Sequence, residues 1–328
     1  MKLKQKRVKM NRELVDQARI RIEQAQRVMI CSHTRPDGDA IGSLLALGQA
    51  LQDAGKHVQM VLEDGVPSAL RFMPGSQQVI NQPEGAFDLV IVVDSSKVDR
   101  VGAVLDEVEK VDLNIDHHPD NTHFAQINIV DSTAVSATQI LTRLLPQLGL
   151  KISSTVAANL LTGMITDTIG FKTDNMHPEV LRMAAELYEL GADLPGLYHS
   201  AVAAKTFEAA RYMGEGLSQL KRQNGLVWTV LTLENRKNAK YPGRDDADLV
   251  NIISAIESAD VALIFVEQHP NQIKVSWRTR SLEIDVSKVA HQYGGGGHRA
   301  AAGAMIEGNL QDVQADVVLT TQRMIFKK

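Results

Sequence analysis

Cysteine is almost absent from this sequence, and so is any segment that could cross a membrane. Cys31 is the one cysteine among 328 residues, so no intrachain disulfide can form, as expected for a cytoplasmic protein in a reducing environment. No apolar run approaches the roughly 20 residues that a transmembrane helix needs. The first twelve residues are basic, but no apolar segment follows them, so the sequence does not predict a secretory signal peptide.

Aromatic residues and excess basic charge are also scarce. Aromatic side chains make up 4% of the chain, so aliphatic residues must form most of the core. The formal net charge is -4 at pH 7, whereas proteins that bind long nucleic acids usually carry a broad basic face. Any nucleic-acid ligand is therefore expected to be short, or to be held by a local cluster of side chains. A hydrophobic content of 44% over 328 residues predicts two packed domains.

Short apolar segments alternate with helical patterns between residues 27 and 200. Apolar runs that end in polar residues predict buried parallel strands over 27–33, 57–64, 87–94 and 111–116. Apolar periodicity predicts helices over 11–26, 40–53, 132–149, 153–168 and 177–192. This alternation predicts an α/β fold whose first domain has a doubly wound, mainly parallel sheet.

The pattern changes after about residue 200. Strand-like pairs and shorter helices there predict a second, smaller α/β domain with a mixed sheet. No segment rich in proline, glycine or serine marks the boundary. We divide the chain into domains at residues 1–200 and 216–328, joined by a linker at 201–215.

Acidic and imidazole side chains cluster where the predicted strands end. Asp94 closes an apolar run, Asp116 ends a predicted strand, and the turn after the first strand carries an H-x-x-x-D-x-D pattern. The carboxyl ends of parallel strands share one edge of an open α/β sheet, so residues far apart in sequence should meet there. The full cluster, in chain order, is His33, Asp37, Asp39, Asp94, Asp116, His117, His118 and Asp167.

Each of these residues has an ordinary structural explanation when it is taken alone. An aspartate can cap a helix or a turn, and a single histidine is more often a structural group than a ligand. Together they would place many charged or imidazole groups at one edge of an apolar sheet, which is costly unless they bind metal. We therefore predict a binuclear metal site, for which mixed ligands suit Mn²⁺, Co²⁺ or Zn²⁺. Two cations ~3.5–4 Å apart stabilise the attacking and leaving oxygens of a phosphate ester.

The sequence resembles the DHH phosphoesterase family, named for the tripeptide found here at residues 116–118. The H-x-x-x-D-x-D turn, the strand-end aspartate, the DHH tripeptide and the T-D-T motif occur in the family's order. The G-G-G-H and A-A-G segments resemble its DHH-associated C-terminal domain. The resemblance covers nearly the whole chain and is greatest to the bifunctional oligoribonuclease and pAp (3'-phosphoadenosine 5'-phosphate) phosphatase group, or nano-RNases. It implies a catalytic domain at 1–200 and a substrate-binding domain at 216–328.

The resemblance also implies a role for each residue of the cluster. The implied metal ligands are His33 and Asp37 for one cation, Asp39, His117 and Asp167 for the other, and Asp94 as the bridge between them. Mn²⁺ is the metal usually associated with the family, with Mg²⁺ or Co²⁺ as alternatives. His118 and Asp94 would be catalytic, with His118 facing the phosphate as a hydrogen-bond or proton donor. Asp116 would orient the histidines, as metal-bound histidines generally require.

Residues of the second domain would bind the substrate. Arg278 matches the family's S-x-R motif, which implies contact with a terminal phosphate, and arginine can donate two parallel hydrogen bonds. Arg280 should face the same side of its strand, although a solvated charge is an equal alternative. The glycines at 294–297 would let backbone N–H groups approach a phosphate, unless they form a flexible loop. The candidate substrate-binding residues are Arg278, Arg280, Gly295, Gly296, Gly297, His298, Arg299 and, in the first domain, Phe171, which could stack a base or belong to the core.

Several functions remain open at this point. The leading hypothesis is hydrolysis of short oligoribonucleotides to mononucleotides, with dephosphorylation of pAp as a second activity. A cyclic-dinucleotide or pApA phosphodiesterase would share all of these motifs. The glycine-rich motif argues against an inorganic pyrophosphatase, and the complete ligand set argues against a nucleotide sensor without turnover. We expect short oligonucleotides or nucleotides as partners, no long nucleic acid, no membrane, and a homodimer as the family resemblance suggests.

Overall fold

The computed structural model describes residues 11–326 of the chain. The basic N-terminal stretch, expected to lead into the first helix, therefore lies outside the described residues except at its end. The chain divides between Ala204 and Lys205 into two compact parts, called here unit 1 and unit 2, and each contains its own sheet. Within residues 11–326, no helix is both long and apolar enough to span a membrane.

Unit 1 is built on a six-stranded sheet in which all neighbouring strands are parallel. The strands are β1 (Arg27–Cys31), β2 (His57–Val61), β3 (Val79–Ile80), β4 (Leu89–Val93), β5 (Leu113–Asp116) and β6 (Ile127–Val130). Their order across the sheet is β3-β2-β1-β4-β5-β6. The strand order reverses between β1 and β4, and open α/β sheets bind ligands at such a switch point. The predicted α/β class and parallel sheet are confirmed.

Helices and short turns cover both faces of this sheet. The α-helices of unit 1 are α1 (Arg12–Gln24), α2 (Gly38–Asp53), α3 (Ala137–Gln147), α4 (Ser154–Asp167), α5 (Pro178–Glu189) and α6 (Leu194–Tyr198), followed by a π-helical turn at His199–Ala203. Helices α1, α2 and α3 contact the sheet on the face that includes Val28, while α4, α5 and α6 pack mainly on other helices, and together they form the main core. The opposite face, which includes Met29, is covered by 3₁₀ turns at Val98–Arg100 and Ala103–Leu105.

The sequence predicts four of these strands, whereas β3 and β6 appear only in the structure. Both are edge strands, of two and four residues. An edge strand pairs on one side only, and short edge strands are common in natural sheets. Burial alternates along β6 and both residues of β3 are only partly buried, so neither segment forms the continuous apolar run that marks a central parallel strand.

Unit 2 contains the predicted mixed sheet. Its strands are β7 (Lys221–Gln223), β8 (Leu226–Leu231), β9 (Val261–His269), β10 (Gln272–Thr279), β11 (Gly296–His298) and β12 (Ala301–Glu307), in the order β11-β12-β10-β9-β8-β7. Only β8 and β9 are parallel neighbours. Its α-helices are α7 (Phe207–Leu217), α8 (Leu233–Ala239), α9 (Leu249–Ile253), α10 (Ser287–His291) and α11 (Leu310–Ile325).

Residues 201–215, for which the sequence predicts a linker, are largely helical. They contain the end of the π-helical turn and most of α7. Tyr212 and Met213 of α7 are buried in one of the two cores of unit 2, together with Leu231 and Ile264. The apolar side of α7 packs on the sheet of unit 2, so most of the segment predicted as a linker lies within that unit.

Candidate metal centre and substrate-binding groups

The predicted cluster lies at the carboxyl end of the sheet of unit 1, beside the switch point. His33 follows β1 by two residues, Asp94 directly follows β4, and Asp116 is the last residue of β5. Asp94 adopts a left-handed backbone conformation, with φ at 53°. Residues other than glycine rarely take this conformation, and strained positions of this kind are concentrated at functional sites.

Two carboxylates enter the site from the start of α2. Oδ1 of Asp37 caps the helix by accepting the N–H groups of Asp39 and Ala40 at 3.0 and 3.1 Å. Asp39 is 1% exposed and reaches the first turn of α3. Its Oδ2 accepts from the N–H of Ala137 at 2.6 Å, and its Oδ1 accepts from the N–H and hydroxyl of Thr138 at 3.0 and 2.6 Å. A helix N-terminus thus fixes this carboxylate and favours its negative charge.

His117 and Asp94 lie at the centre of the cluster. Nε2 of His117 lies 3.5 Å from Oδ1 of Asp94, 3.8 Å from Oδ2 of Asp167 and 3.9 Å from Oδ2 of Asp39. Nε2 of His33 lies 3.6 Å from the other oxygen of Asp94. Candidate ligand atoms within 4.8 Å of one another form three overlapping groups, which are His33–Asp37–Asp94, Asp39–His117–Asp167 and Asp94–His117–His118. The first two groups contain the residues that the family resemblance implies for the two cations.

The ring of His33 is oriented by the main chain. Its Nδ1 lies 2.9 Å from the carbonyl oxygen of Thr34. Because a carbonyl oxygen can only accept, Nδ1 carries the proton in the neutral ring, and Nε2 presents its lone pair toward Asp94. Burial lowers the pKa of His33, but Asp94 and the Thr34 carbonyl raise it by more, so the net shift is upward. Metal-binding histidines characteristically show this pattern of one tethered and one open nitrogen.

The negative charge of the cluster is poorly compensated by the rest of the protein. Oδ1 of Asp94 is buried and has no hydrogen-bond partner within residues 11–326. Burial, together with Asp94 and Asp167, raises the pKa of Asp39 well above its usual value. Burial also raises the pKa of Asp167 to about 6. A divalent cation would provide a partner for Asp94 and would favour the charged forms of Asp39 and Asp167. The imidazole and carboxylate donors fit such an ion.

Asp116 and His118 form a separate pair beside these groups. Nδ1 of His118 donates to Oδ1 of Asp116 at 2.7 Å, and this bond raises the pKa of His118. Asp116 is fully buried, which raises its pKa, but its bonds to His118 and Asn121 outweigh that effect and lower the pKa overall. This hydrogen bond is consistent with the predicted role of Asp116 in orienting His118.

Three residues that support the site were not identified from the sequence. Asn121 donates to Oδ2 of Asp116 at 2.6 Å, and Thr138 holds Asp39 as described above. Gly163 of α4 lies close to Thr138 and Asp39. A Cβ at Gly163 would be 2.4 Å from Cγ2 of Thr138 and 2.8 Å from Oδ1 of Asp39. A glycine inside an otherwise apolar helix is the one available signal, because such glycines usually have a packing or functional reason.

In unit 2, Arg278 and His298 are aligned across three strands. Arg278 of β10 pairs with Ala301 of β12, which pairs with His298 of β11. Residues paired in this way project from the same face of a sheet, so a cation and an imidazole flank a small side chain. The neighbouring row contains Gly303 and Gly296, which have no side chains. The result is a shallow surface that suits an anionic group.

The other two arginines are placed differently. Arg280 is exposed and lies beyond the end of β10, so the strand alternation that predicts a shared side with Arg278 does not extend to it. Nη2 of Arg299 donates to the carbonyl oxygen of Leu282 at 2.7 Å and thereby ties down the segment before α10. Arg278 itself is partly buried, which lowers its pKa while Asp246 opposes the shift, and its Nη1 donates to the carbonyl of Trp277 at 3.0 Å.

The glycine run leads into the sheet, because its last two residues, Gly296 and Gly297, begin β11. A Cβ at Gly295 would lie 2.2 Å from the carbonyl oxygen of Gly303, and one at Gly297 would lie 2.5 Å from that of Ala301. These two glycines are needed for the close pairing of β11 with β12. A Cβ at Gly296 would meet no atom nearer than 4.0 Å, so its missing side chain leaves open space on the surface.

Phe171 and Cys31 both contact the hydrophobic cores of unit 1. Phe171 packs against the main core of unit 1, which favours the core explanation over base stacking. Cys31 is fully buried, and burial raises the pKa of its thiol. A buried thiol without a neighbouring cation is unreactive, so Cys31 is a core residue as expected.

Comparison with known proteins covers both halves of the chain. Residues 27–164 match the DHH family, N-terminal domain, and residues 224–321 match the DHHA1 domain. The bifunctional oligoribonuclease and PAP phosphatase NrnA of Thermus thermophilus is 34% identical over 90% of this chain and 89% of that protein. The cyclic-di-AMP phosphodiesterase PdeA of Listeria monocytogenes is 25% identical over 92% of this chain and 48% of that protein.

A solved structure agrees with these similarities. The crystal structure of an exopolyphosphatase-related protein from Bacteroides fragilis matches with a TM-score of 0.87 and 25% identity, covering 97% of this chain and 99% of that one. The resemblance inferred from the motifs is thus confirmed by similarity along nearly the whole chain. The chain belongs to the DHH family of phosphoesterases and carries a DHHA1 domain in its C-terminal half.

Proposed function

We propose that this protein hydrolyses short oligoribonucleotides to mononucleotides and dephosphorylates pAp. The observation that carries the proposal is the position of Asp94, whose two oxygens face His33 on one side and His117 on the other. That arrangement supports a pair of cations sharing one carboxylate. The Thermus thermophilus relative, whose name gives both activities, supports the choice of substrate.

The bound cations would supply a hydroxide near neutral pH and neutralise the phosphate. In this proposal the ligands are His33, Asp37, Asp39, Asp94, His117 and Asp167. Asp116 fixes the ring of His118, which donates a hydrogen bond or a proton to the reacting phosphate. Arg278 and His298 of unit 2, aided by the open space at Gly296, are proposed to bind a phosphate group of the substrate. Arg280, Arg299 and Phe171 are weaker candidates because of the surroundings described above.

The proposed metal is Mn²⁺, with Mg²⁺ or Co²⁺ as alternatives. Imidazole and carboxylate donors together favour Mn²⁺ or Co²⁺, whereas Mg²⁺ favours all-oxygen sites. The test is turnover by metal-stripped protein reloaded with each ion, on a panel of di- to pentanucleotides, pAp, cyclic di-AMP and pyrophosphate. We expect release of mononucleotides from the oligonucleotides and of phosphate from pAp. Failure of the Mn²⁺-loaded protein on both substrates would refute the proposal.

A cyclic-dinucleotide phosphodiesterase is the second candidate. The Listeria monocytogenes relative bears that name, but this chain matches only 48% of its length. The same panel separates the two functions, because the second predicts faster turnover of cyclic di-AMP than of the linear dinucleotide. A cytoplasmic location remains a prediction, with which the buried and unpaired Cys31 is compatible.

We also propose that the protein forms a homodimer through α5. Leu181 and Tyr188 are 55% and 53% exposed, and with Ala185 they form an apolar stripe at i, i+4 and i+7. Arg182 is the fifth residue of the helix and Glu189 is the last, so an antiparallel pairing with a second copy about Ala185 would place opposite charges together. Light scattering should give a dimer, and Leu181→Glu should give a monomer. A monomeric wild-type protein would contradict this proposal.

A further inference from the structure

The helix that carries Asp167 ends in a hydrogen-bond pattern that favours glycine. The N–H of Ile169 donates to the carbonyl of Thr166 at 3.1 Å, and the N–H of Gly170 donates to that of Ile165 at 2.7 Å. This pair of bonds is a Schellman motif, in which the first residue after the cap takes a left-handed conformation and is usually glycine. Here that residue is Ile169, with φ at 50°. A β-branched side chain is strongly disfavoured in this conformation.

The residues around Ile169 are all held in place. Thr168 is fully buried, and its hydroxyl accepts the N–H of Phe171 at 2.9 Å. Gly170 is so close to the ring of Tyr198 that a Cβ there would lie 2.7 Å from it. Phe171 packs on the core. Ile169 is the exception, because 48% of it is exposed although its side chain is entirely apolar.

We propose that Ile169 determines substrate specificity by contacting the nucleoside next to the scissile phosphate. The position combines two unfavourable features, a strained backbone and an exposed apolar side chain, and glycine would have neither. Backbone strain of this kind is concentrated at ligand sites, where the function needs the strained residue. Ile169 follows the candidate ligand Asp167 by two residues, so a substrate whose phosphate lies at the metal centre brings its sugar or base close to this turn. The inference rests on the proposed function and names a contact of that same site.

Three variants separate the effect of the apolar side chain from the effect of the strained backbone. Ile169→Ala removes the apolar contact but keeps a Cβ in the left-handed conformation, whereas Ile169→Gly removes both. Ile169→Val keeps the branched apolar group. We expect Ala and Gly to raise the KM for a dinucleotide by about three- to tenfold, as for loss of a half-exposed isoleucine contact, with kcat within about twofold. Val should stay close to wild type.

Thermal unfolding measures the backbone strain separately, because the substitution that weakens substrate binding is expected to stabilise the fold. Ile169→Gly should raise Tm by about 2 °C by releasing strain, while Ile169→Ala should not. Lys240→Gly is the matched control, because Lys240 is an exposed, left-handed residue at the end of α8 with φ at 57°. It should raise Tm without changing the KM.

The outcomes distinguish this inference from the function on which it rests. A wild-type protein that fails on dinucleotides and pAp would refute the proposed function and the inference with it. An active wild type whose KM is unchanged by Ala and Gly would refute the inference alone. A fall in kcat at constant KM would also overturn it, because the turn would then act by positioning Asp167.

Discussion

The contact of α4 with α2 and α3 offers a test of the site in which no proposed ligand is substituted. In Gly163→Ala, the new methyl group would lie 2.4 and 2.7 Å from Cγ2 and Oγ1 of Thr138, and 2.8 Å from Oδ1 of Asp39. All three distances are shorter than non-bonded contacts allow. Thr138 is fully buried and donates to Asp39 through both its N–H and its hydroxyl, so it cannot rotate away without breaking those bonds.

The expected loss of stability follows from these contacts. Forcing an extra methyl group into a packed interior costs about 1–3 kcal/mol. Weakening a hydrogen bond to a charged carboxylate costs about 1.5–3 kcal/mol, although the two effects share atoms and do not simply add. Replacing a helical glycine by alanine returns about 0.5–1 kcal/mol. We therefore expect Gly163→Ala to lower the free energy of unfolding of the metal-free protein by about 2–4 kcal/mol.

The same substitution should weaken metal binding, because Asp39 is displaced from the position in which α3 holds it. Denaturant unfolding in a chelator measures the first effect, and the rise in Tm on adding Mn²⁺ measures the second. A ligand stabilises the folded protein by RT ln(1 + [L]/Kd), so tenfold weaker binding reduces that stabilisation by about 1.4 kcal/mol. Gly214→Ala is the control, because Gly214 is exposed in α7 and a Cβ there meets no atom within 4 Å. It should stabilise the protein by about 0.5–1 kcal/mol and leave metal binding unchanged.

The reasoning would be wrong if Gly163→Ala unfolded at the wild-type denaturant concentration and bound Mn²⁺ with wild-type affinity. A variant that lost stability but kept its metal affinity would refute only the link between Gly163 and Asp39. In that case the contact of α4 with α2 and α3 would matter for packing, while the carboxylate would still be held by its bonds to α3.

Three further predictions concern the centre and the substrate directly. Asp94→Ala should abolish turnover, since two of the three ligand groups lose a shared carboxylate, and a wild-type kcat in Mn²⁺ would contradict the bridging role. Arg278→Ala should weaken substrate binding by about 1–3 kcal/mol through the lost charged hydrogen bond. An unchanged KM for the dinucleotide would exclude Arg278 as the phosphate anchor. Chelation should stop turnover and Mn²⁺ should restore it, so persistent activity in excess chelator would argue against metal dependence.

The position of the centre could be predicted from the sequence for a physical reason. Buried parallel strands require nearly continuous apolar residues, so the polar residue that ends each run is conspicuous. Asp94 after Leu89–Val93 is the clear example, and Asp116 is the last residue of β5. Because parallel strands end at one edge, residues 33, 94 and 116 could be brought together without knowledge of the strand order.

The supporting contacts could not be predicted, because they join residues through space and not through a repeating pattern. Thr138 reaches Asp39 across 99 positions of the chain, and a threonine in the first turn of a helix has many ordinary roles. The glycine run illustrates a different difficulty. Composition alone did not decide between a phosphate loop and a flexible loop, whereas the pairing of β11 with β12 shows why Gly295 and Gly297 must be glycines.

The arrangement of the Asp-His-His tripeptide follows from the alternation of side chains along an extended chain. Alternate residues of an extended chain project to the same side, so Asp116 should share a side with His118 and not with His117. In the structure Asp116 lies 2.7 Å from His118, while Nε2 of His117 faces three carboxylates of the metal cluster. Asn121 bonds the second oxygen of Asp116, so the carboxylate is held at both ends. Three adjacent residues therefore divide into one candidate metal ligand and one hydrogen-bonded pair, and it is this pairing that leaves the other nitrogen of His118 available for a phosphate.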